Sequence, residues 1–149
     1  MDLRRFPTLP AIGAVGILYF LAGKLCLHLA FVHASASPAW PPTGIAIVAL
    51  LLLGYRVWPG IFIGAFLVNV STAGNYLTSL GIATGNTLEG VCAAFLINHF
   101  AGGNAVFNRY QTVFKFALAI LVSTLVAPTI GVTSLTLGRF ANWANFAPI

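Results

Sequence analysis

Short polar loops divide the sequence into five apolar segments. They cover residues 11–32, 42–55, 57–71, 76–100 and 112–137, and Pro128 lies inside the last one. At about 1.5 Å per helical residue, the first segment is long enough to cross a hydrocarbon core of about 30 Å. The second and third are short. We interpret them as two short or tilted crossings, because a single re-entrant hairpin would put Arg56 at its tip, deep in lipid, where an isolated charge is costly.

The composition supports a membrane location. Only 6% of the residues are charged and 59% are hydrophobic, whereas about a quarter of the residues in a typical soluble domain are charged. So few charges cannot cover a water-facing surface. We therefore predict an all-α, polytopic transmembrane helix bundle with about five spans in this chain, two of them short, in contact with the lipid bilayer. The net charge of +5 comes from singly scattered Lys and Arg, so we expect no nucleic-acid partner.

The basic residues predict an orientation. If residues 1–10 form a cytoplasmic N-terminal tail, most of the basic residues fall on the cytoplasmic side, namely Arg4, Arg5, Arg56, Arg109 and Lys115. Arg139 is the exception. We therefore expect a multi-pass protein of the bacterial inner (plasma) membrane. Five crossings would leave the C-terminus outside, so we expect the chain to be the front part of a longer protein.

Tryptophan and proline mark the starts of the two short segments. Trp40 and Pro41 precede the second segment and Pro42 opens it, and Trp58 and Pro59 lie at the start of the third. Proline suits the first turn of a helix, where its missing N–H would have no partner, and an indole can hold a membrane interface. These residues are predicted helix-start anchors. They are also consistent with short rigid helices that frame a cavity open to the outer face.

A few polar residues lie inside the apolar segments. Glu89 is the only acidic residue after Asp2, and Asn86 lies three residues earlier on the same helical face. Lys24 and His28 share a face of the first segment. Counting from the segment ends places Lys24 and Glu89 at similar depth, which predicts either a structural ion pair or a ligand or proton site. Candidate ligand-binding or polar-core residues are Lys24, His28, Asn69, Asn86 and Glu89.

The sequence contains no recognisable catalytic or metal-binding motif. There are no paired carboxylates, no Walker loop and no nucleophile motif. Cys26 and Cys92 each lie in an apolar run without a Cys-x-x-Cys pattern, which is typical of buried thiols. We expect no enzymatic activity in this chain, no metal and no cofactor.

Four stretches carry a family resemblance. "YFLAGKLCLHLAF", "SPAWPPTGIAIVALLLLGYRVWPGIFIGAFLVN", "GIATGNTLEG" and "APTIGVTSLTLG" resemble, in this order, the MASE1 domain of bacteria. The resemblance implies a multi-span sensor domain over residues 11–149, truncated at its C-terminus. It also implies a following histidine-kinase, diguanylate cyclase, phosphodiesterase or PAS module. It supplies no ligand residues.

Two functions from different classes follow. The first is the sensory input module of a bacterial signal-transduction protein, of histidine kinase or diguanylate cyclase type, whose output domain lies outside this chain. Its partner would be an unidentified small molecule or another membrane protein, and a homodimer is consistent with this function. The alternative is a small-solute transporter or substrate-binding membrane subunit, which short proline-started helices and a lone intramembrane carboxylate also suit.

Overall fold

The computed structural model describes residues 7–27, 40–72, 75–103 and 110–138. Every regular element within these ranges is helical. The elements are α1 (Thr8–Leu27), α2 (Pro41–Leu53), a 3-10 turn (Tyr55–Val57), α3 (Trp58–Val70), α4 (Tyr76–Phe100), α5 (Tyr110–Ser123) and α6 (Val126–Leu137). By length and composition α1, α4 and the combined α5–α6 segment can each cross a membrane, whereas α2 and residues Tyr55–Val70 are shorter apolar helices. The predicted all-α bundle of five apolar spans, two of them short, is confirmed.

Four of the helices form a ring. α1 packs against α2 and α3, and α4 packs against the same two helices, so the order around the ring is α1, α2, α4, α3. α5 and α6 pack on the outside of α4. The ring interior holds the fully buried side chains of Tyr19, Leu50 and Ile61. Leu21 and Leu118 are exposed on the outside, as expected where helices contact hydrocarbon rather than water.

The contacts fix the relative directions of the helices. Arg56 Nη1 donates to Thr8 Oγ1 at 3.3 Å, and Lys24 Nζ donates to the Ser71 carbonyl at 3.2 Å. α1 and α3 therefore run parallel. Asn98 Nδ2 donates to Tyr55 Oη at 3.5 Å, so α4 ends at the level where α3 begins. We call the end that holds Thr8, Arg56 and Asn98 the Arg56 end, and the end that holds Lys24 and Ser71 the Lys24 end.

α1 and α3 cross with their backbones in contact. A Cβ at Gly64 would lie 2.8 Å from the Gly16 carbonyl oxygen, and a Cβ at Gly16 would lie 3.2 Å from that of Gly60. Any side chain at these positions would push the two helices apart. Gly60 and Gly64, two small residues one turn apart on α3, therefore lie at the close contact between α1 and α3.

The fifth span is kinked. α5 ends at Ser123 and α6 begins at Val126, with a turn at Thr124 and Leu125. Pro128 explains the break, because it has no N–H to donate to the carbonyl of Thr124 and its ring crowds that carbonyl. The break lets α6 follow α4, where Gly85 approaches the Ala127 carbonyl closely.

Candidate functional site

Four polar or aromatic side chains meet inside the ring, and we call them the central polar cluster. They are Tyr19 of α1, Trp40 and Thr43 at the start of α2, and Glu89 of α4. Trp40 Nε1 donates a hydrogen bond to Tyr19 Oη at 3.2 Å. The side chains of Thr43 and Glu89 are hydrogen-bond partners, and Glu89 is near enough to Tyr19 to interact with it electrostatically. Glu89 is 5% exposed and Tyr19 is fully buried.

The proline pair positions α2's contribution to this cluster. α2 begins at Pro41 with Trp40 as its N-cap residue, and both of its first two positions are proline. Thr43 is therefore the first residue of α2 with an N–H, which donates to the Trp40 carbonyl at 3.1 Å. Its hydroxyl remains available to Glu89. A carboxylate near the N-terminus of a helix also interacts favourably with the helix dipole.

The two predicted tryptophan anchors lie in different surroundings. Trp40 is half-buried and directs its indole N–H into the ring, towards Tyr19. Trp58 is 49% exposed at the Arg56 end, where it packs edge-on against Phe62 with ring centroids 6.5 Å apart. Pro59 occupies one of the first positions of α3, as Pro41 and Pro42 do in α2.

The predicted ion pair between Lys24 and Glu89 is not formed in the described part of the chain. Lys24 Nζ donates instead to the Ser71 carbonyl and to Thr72 Oγ1, at 3.2 and 3.1 Å. Both partners directly follow α3, where the helix has unpaired carbonyls and a negative dipole end. Of the two alternatives, the ion pair fails because Lys24 lies level with the end of α3, whereas Tyr19, five residues earlier in α1, is near enough to Glu89 to interact with it.

The remaining predicted site residues divide into three cases. Asn86 is buried on α4, one turn before Glu89 and on the same face. Asn69 is fully buried near the Lys24 end of α3, away from the central polar cluster. His28 lies outside the described residues.

Asn69 belongs to a second set of polar side chains, near the Lys24 end. Its Nδ2 donates to the Ala65 carbonyl at 2.9 Å, but its Oδ1 is buried without a partner. The hydroxyls of Thr78 and Ser79, in the first turns of α4, are also buried and unpartnered. The hydroxyl of Thr87, in the same helix, instead donates to the Ala83 carbonyl one turn earlier, at 2.7 Å. We call Asn69, Thr78 and Ser79 the unpartnered set.

Sequence reasoning missed Tyr19, Thr43, Thr78 and Ser79. A tyrosine or threonine in an apolar segment is common and carries no charge to mark it. The available signal for Thr43 was its position directly after two prolines. Because these prolines have no N–H groups that need a capping partner, the Thr43 hydroxyl is free to bond elsewhere. For Thr78 and Ser79 no signal existed, because helical hydroxyls usually bond to the preceding turn.

The MASE1 family model matches residues 11–148, which is nearly the whole chain. The chain belongs to the MASE1 family. MASE1 domains are membrane-associated sensory domains of signalling proteins and are not catalytic. The resemblance found in the sequence is thereby confirmed. No curated protein and no solved structure matches the chain.

The residues of this MASE1 domain limit the chemistry available to it. In the described ranges, no three His, Cys, Asp or Glu side chains come together as a metal site would require. Cys26 and Cys92 are free thiols. The central polar cluster instead combines one carboxylate, two aromatic rings and a hydroxyl from three helices. Such a set can hold a small polar ligand by hydrogen bonds and charge.

Proposed function

We propose that this MASE1 domain is the sensory input module of a bacterial signal-transduction protein. It receives a stimulus, from a small molecule or a partner membrane protein, and passes it to a histidine kinase or diguanylate cyclase domain in a longer parent protein. The observation that carries this proposal is the family match over residues 11–148. The kinase or cyclase activity would reside entirely in that output domain.

The central polar cluster is the place where we expect the stimulus to act. It joins α1, α2 and α4 through side-chain contacts, whereas α1 and α3 are joined through their backbones at glycine. A ligand shifts a conformational equilibrium only if it interacts differently with the two states. Because hydrogen bonds can change partners, the contacts of Glu89 can differ between two arrangements of the ring.

We further propose that the domain lies in the bacterial inner membrane with the Arg56 end in the cytoplasm. Arg56 lies at that end, and Lys115 lies near the start of α5, the helix that comes after α4 in the chain. Positive charges near the ends of spans favour the cytoplasmic side. The N-terminus of α1 would then also face the cytoplasm.

The test uses the protein encoded by the complete source gene, in membrane vesicles. Glu89→Gln keeps the size of the side chain but removes its charge, and Lys115→Gln removes a charge from an exposed position on α5 as a matched control. We expect ATP-dependent phosphorylation or cyclic di-GMP formation to change in the Glu89 variant and to remain as in the wild type in the control.

Two results would contradict the proposal. One is a gene product that neither autophosphorylates nor makes or degrades cyclic di-GMP. The other is output activity that is identical in the wild type and in the Glu89 variant. If the vesicles instead took up a labelled solute, and Glu89→Gln abolished that uptake, the small-solute transporter would replace the sensor.

A further inference from the structure

We propose that the central polar cluster binds an organic ammonium cation. This inference rests on the proposed function, because it names the class of ligand that the sensor would detect. It comes from the combination of one buried carboxylate with two aromatic rings, at the point where α2 begins inside the ring.

The first observation concerns charge. Glu89 is 5% exposed, and among the described residues its side-chain partner is the hydroxyl of Thr43. Lys24, the cation that the sequence placed at this depth, is bound at the end of α3 instead. An ionised carboxylate inside a membrane bundle is costly unless it is paired with a cation, so a cationic ligand would stabilise this site.

The second observation concerns the aromatic rings. Trp40 and Tyr19 are held together by the 3.2 Å bond from the indole N–H to the tyrosine oxygen. Cations bind over the faces of such rings, and indole is the strongest of them. Trp40 is half-buried and Tyr19 is fully buried, so the indole of Trp40 is the face that a ligand would reach. Recognition of quaternary ammonium groups by aromatic side chains depends on this interaction. A buried carboxylate that interacts with Tyr19, whose oxygen in turn accepts from Trp40, therefore favours an organic ammonium over a bare metal ion, which would need several oxygen ligands.

The third observation concerns the free acceptor sites of Glu89 and the access to them. An ionised carboxylate has about four lone-pair sites, so the bond with Thr43 leaves Glu89 able to accept from a ligand. Trp40 and Thr43 are half-buried, and Pro41 and Gly44 beside them are exposed. The start of α2 is thus the side from which a small ligand would reach the cluster.

The experiment uses Trp40 as the reporter. Trp58→Phe and Trp143→Phe leave Trp40 as the single tryptophan of the full chain, which is purified into phosphatidylglycerol nanodiscs. Choline is titrated against the emission of Trp40, in parallel with its uncharged isostere that carries carbon in place of nitrogen. We expect a saturable change with choline and none with the isostere. Glu89→Gln should weaken choline binding at least about tenfold, equivalent to about 1.4 kcal/mol, whereas Lys24→Gln should bind choline as the parent does.

A second measurement needs no substitution in the cluster. Choline should raise the thermal unfolding temperature of the unaltered chain, and the isostere should not, because a ligand that binds the folded state stabilises it. This arm keeps the inference testable if the Glu89 variant does not fold. The inference is overturned by equal effects of choline and its isostere, by unweakened binding to a folded Glu89 variant, or by no saturable response.

A lipid headgroup could supply the same cation. Repeating the titration in nanodiscs that contain phosphatidylcholine separates the two sources. If free choline binds equally well there, the ligand is a free ammonium compound. If phosphatidylcholine suppresses binding, the headgroup is the ligand. Choline binding without any change in output activity of the complete protein would uphold this inference and contradict the proposed function.

Discussion

The glycine crossing of α1 and α3 makes the sharpest stability prediction. A Cβ at Gly64 would lie 2.8 Å from the Gly16 carbonyl oxygen and 3.0 Å from Tyr19 Cβ, whereas ordinary contact begins at 3.4 Å. α1 would have to move away by about 0.6 Å, the difference between those contact distances. Both obstructing atoms belong to or adjoin the backbone, so no side-chain rotation relieves the overlap. Overpacking of this kind costs about 1–3 kcal/mol.

Gly13 provides the matched control on the same helix. A Cβ there meets nothing within 4 Å. In a helix, alanine is favoured over glycine by roughly 0.5–1 kcal/mol, and both variants share this gain. We therefore expect Gly13→Ala to be as stable as the wild type or more stable, and Gly64→Ala to lie about 1–3 kcal/mol below Gly13→Ala, because the shared gain cancels between the two variants. The free energy of unfolding is measured in mixed micelles of dodecyl maltoside and sodium dodecyl sulfate, by circular dichroism. Equal stability of the two variants would refute the close crossing.

Three further predictions use the same purified chain or intact cells. Lys24→Met should cost about 1 kcal/mol by removing the cation at the end of α3, and its effect should add to that of Glu89→Gln within about 0.5 kcal/mol; a larger coupling in the double variant would restore the rejected ion pair. Ser79→Ala should leave the free energy of unfolding unchanged or raise it by up to about 1 kcal/mol, because the hydroxyl has no partner to lose; a clear loss of stability would reveal a bound molecule at the unpartnered set. In a cysteine-free background, a membrane-impermeant maleimide added to intact spheroplasts should label Ser71→Cys and not Tyr55→Cys, and the reverse pattern would invert the proposed orientation.

The fold was predictable from the sequence to a large degree because hydropathy and proline act locally. The apolar segments, the short second and third helices and the start of α2 at Pro41 all follow from them. The turn before α6 could be expected near Pro128, but its position could not, because the turn also depends on how α6 packs against α4.

The candidate site was predictable only in part, because depth in a bundle is a tertiary property. Glu89 was found from its charge alone. Its partners were not, since the sequence gives no offset between helices. Lys24 lies level with the end of α3, and Tyr19 takes the level assigned to the lysine. The choice between Lys24 and Thr43 as the partner of Glu89 therefore required the packing of three helices.

The two kinds of contact in the ring suggest how a stimulus could travel. The backbones of α1 and α3 are in direct contact at their glycines. Because this contact leaves no space between the two helices, we expect them to move as one body. α2 is hydrogen-bonded to that body through Trp40 and Tyr19, and to α4 through Thr43 and Glu89. It also packs on α4 where Ala46 and Leu50 face Gly90. A cation bound to Glu89 would weaken the hydrogen bond from Thr43 and so loosen this side-chain link between α2 and α4, while the backbone contact between α1 and α3 stays intact. α4 would then move relative to α2 when the ligand binds. α4 ends at the Arg56 end, where a cytoplasmic output domain would lie in the proposed orientation. Thr43→Val should imitate this release in the complete protein and shift its output activity in the same direction as the ligand does. A shift in the opposite direction would mean that the ligand tightens the contact between α2 and α4.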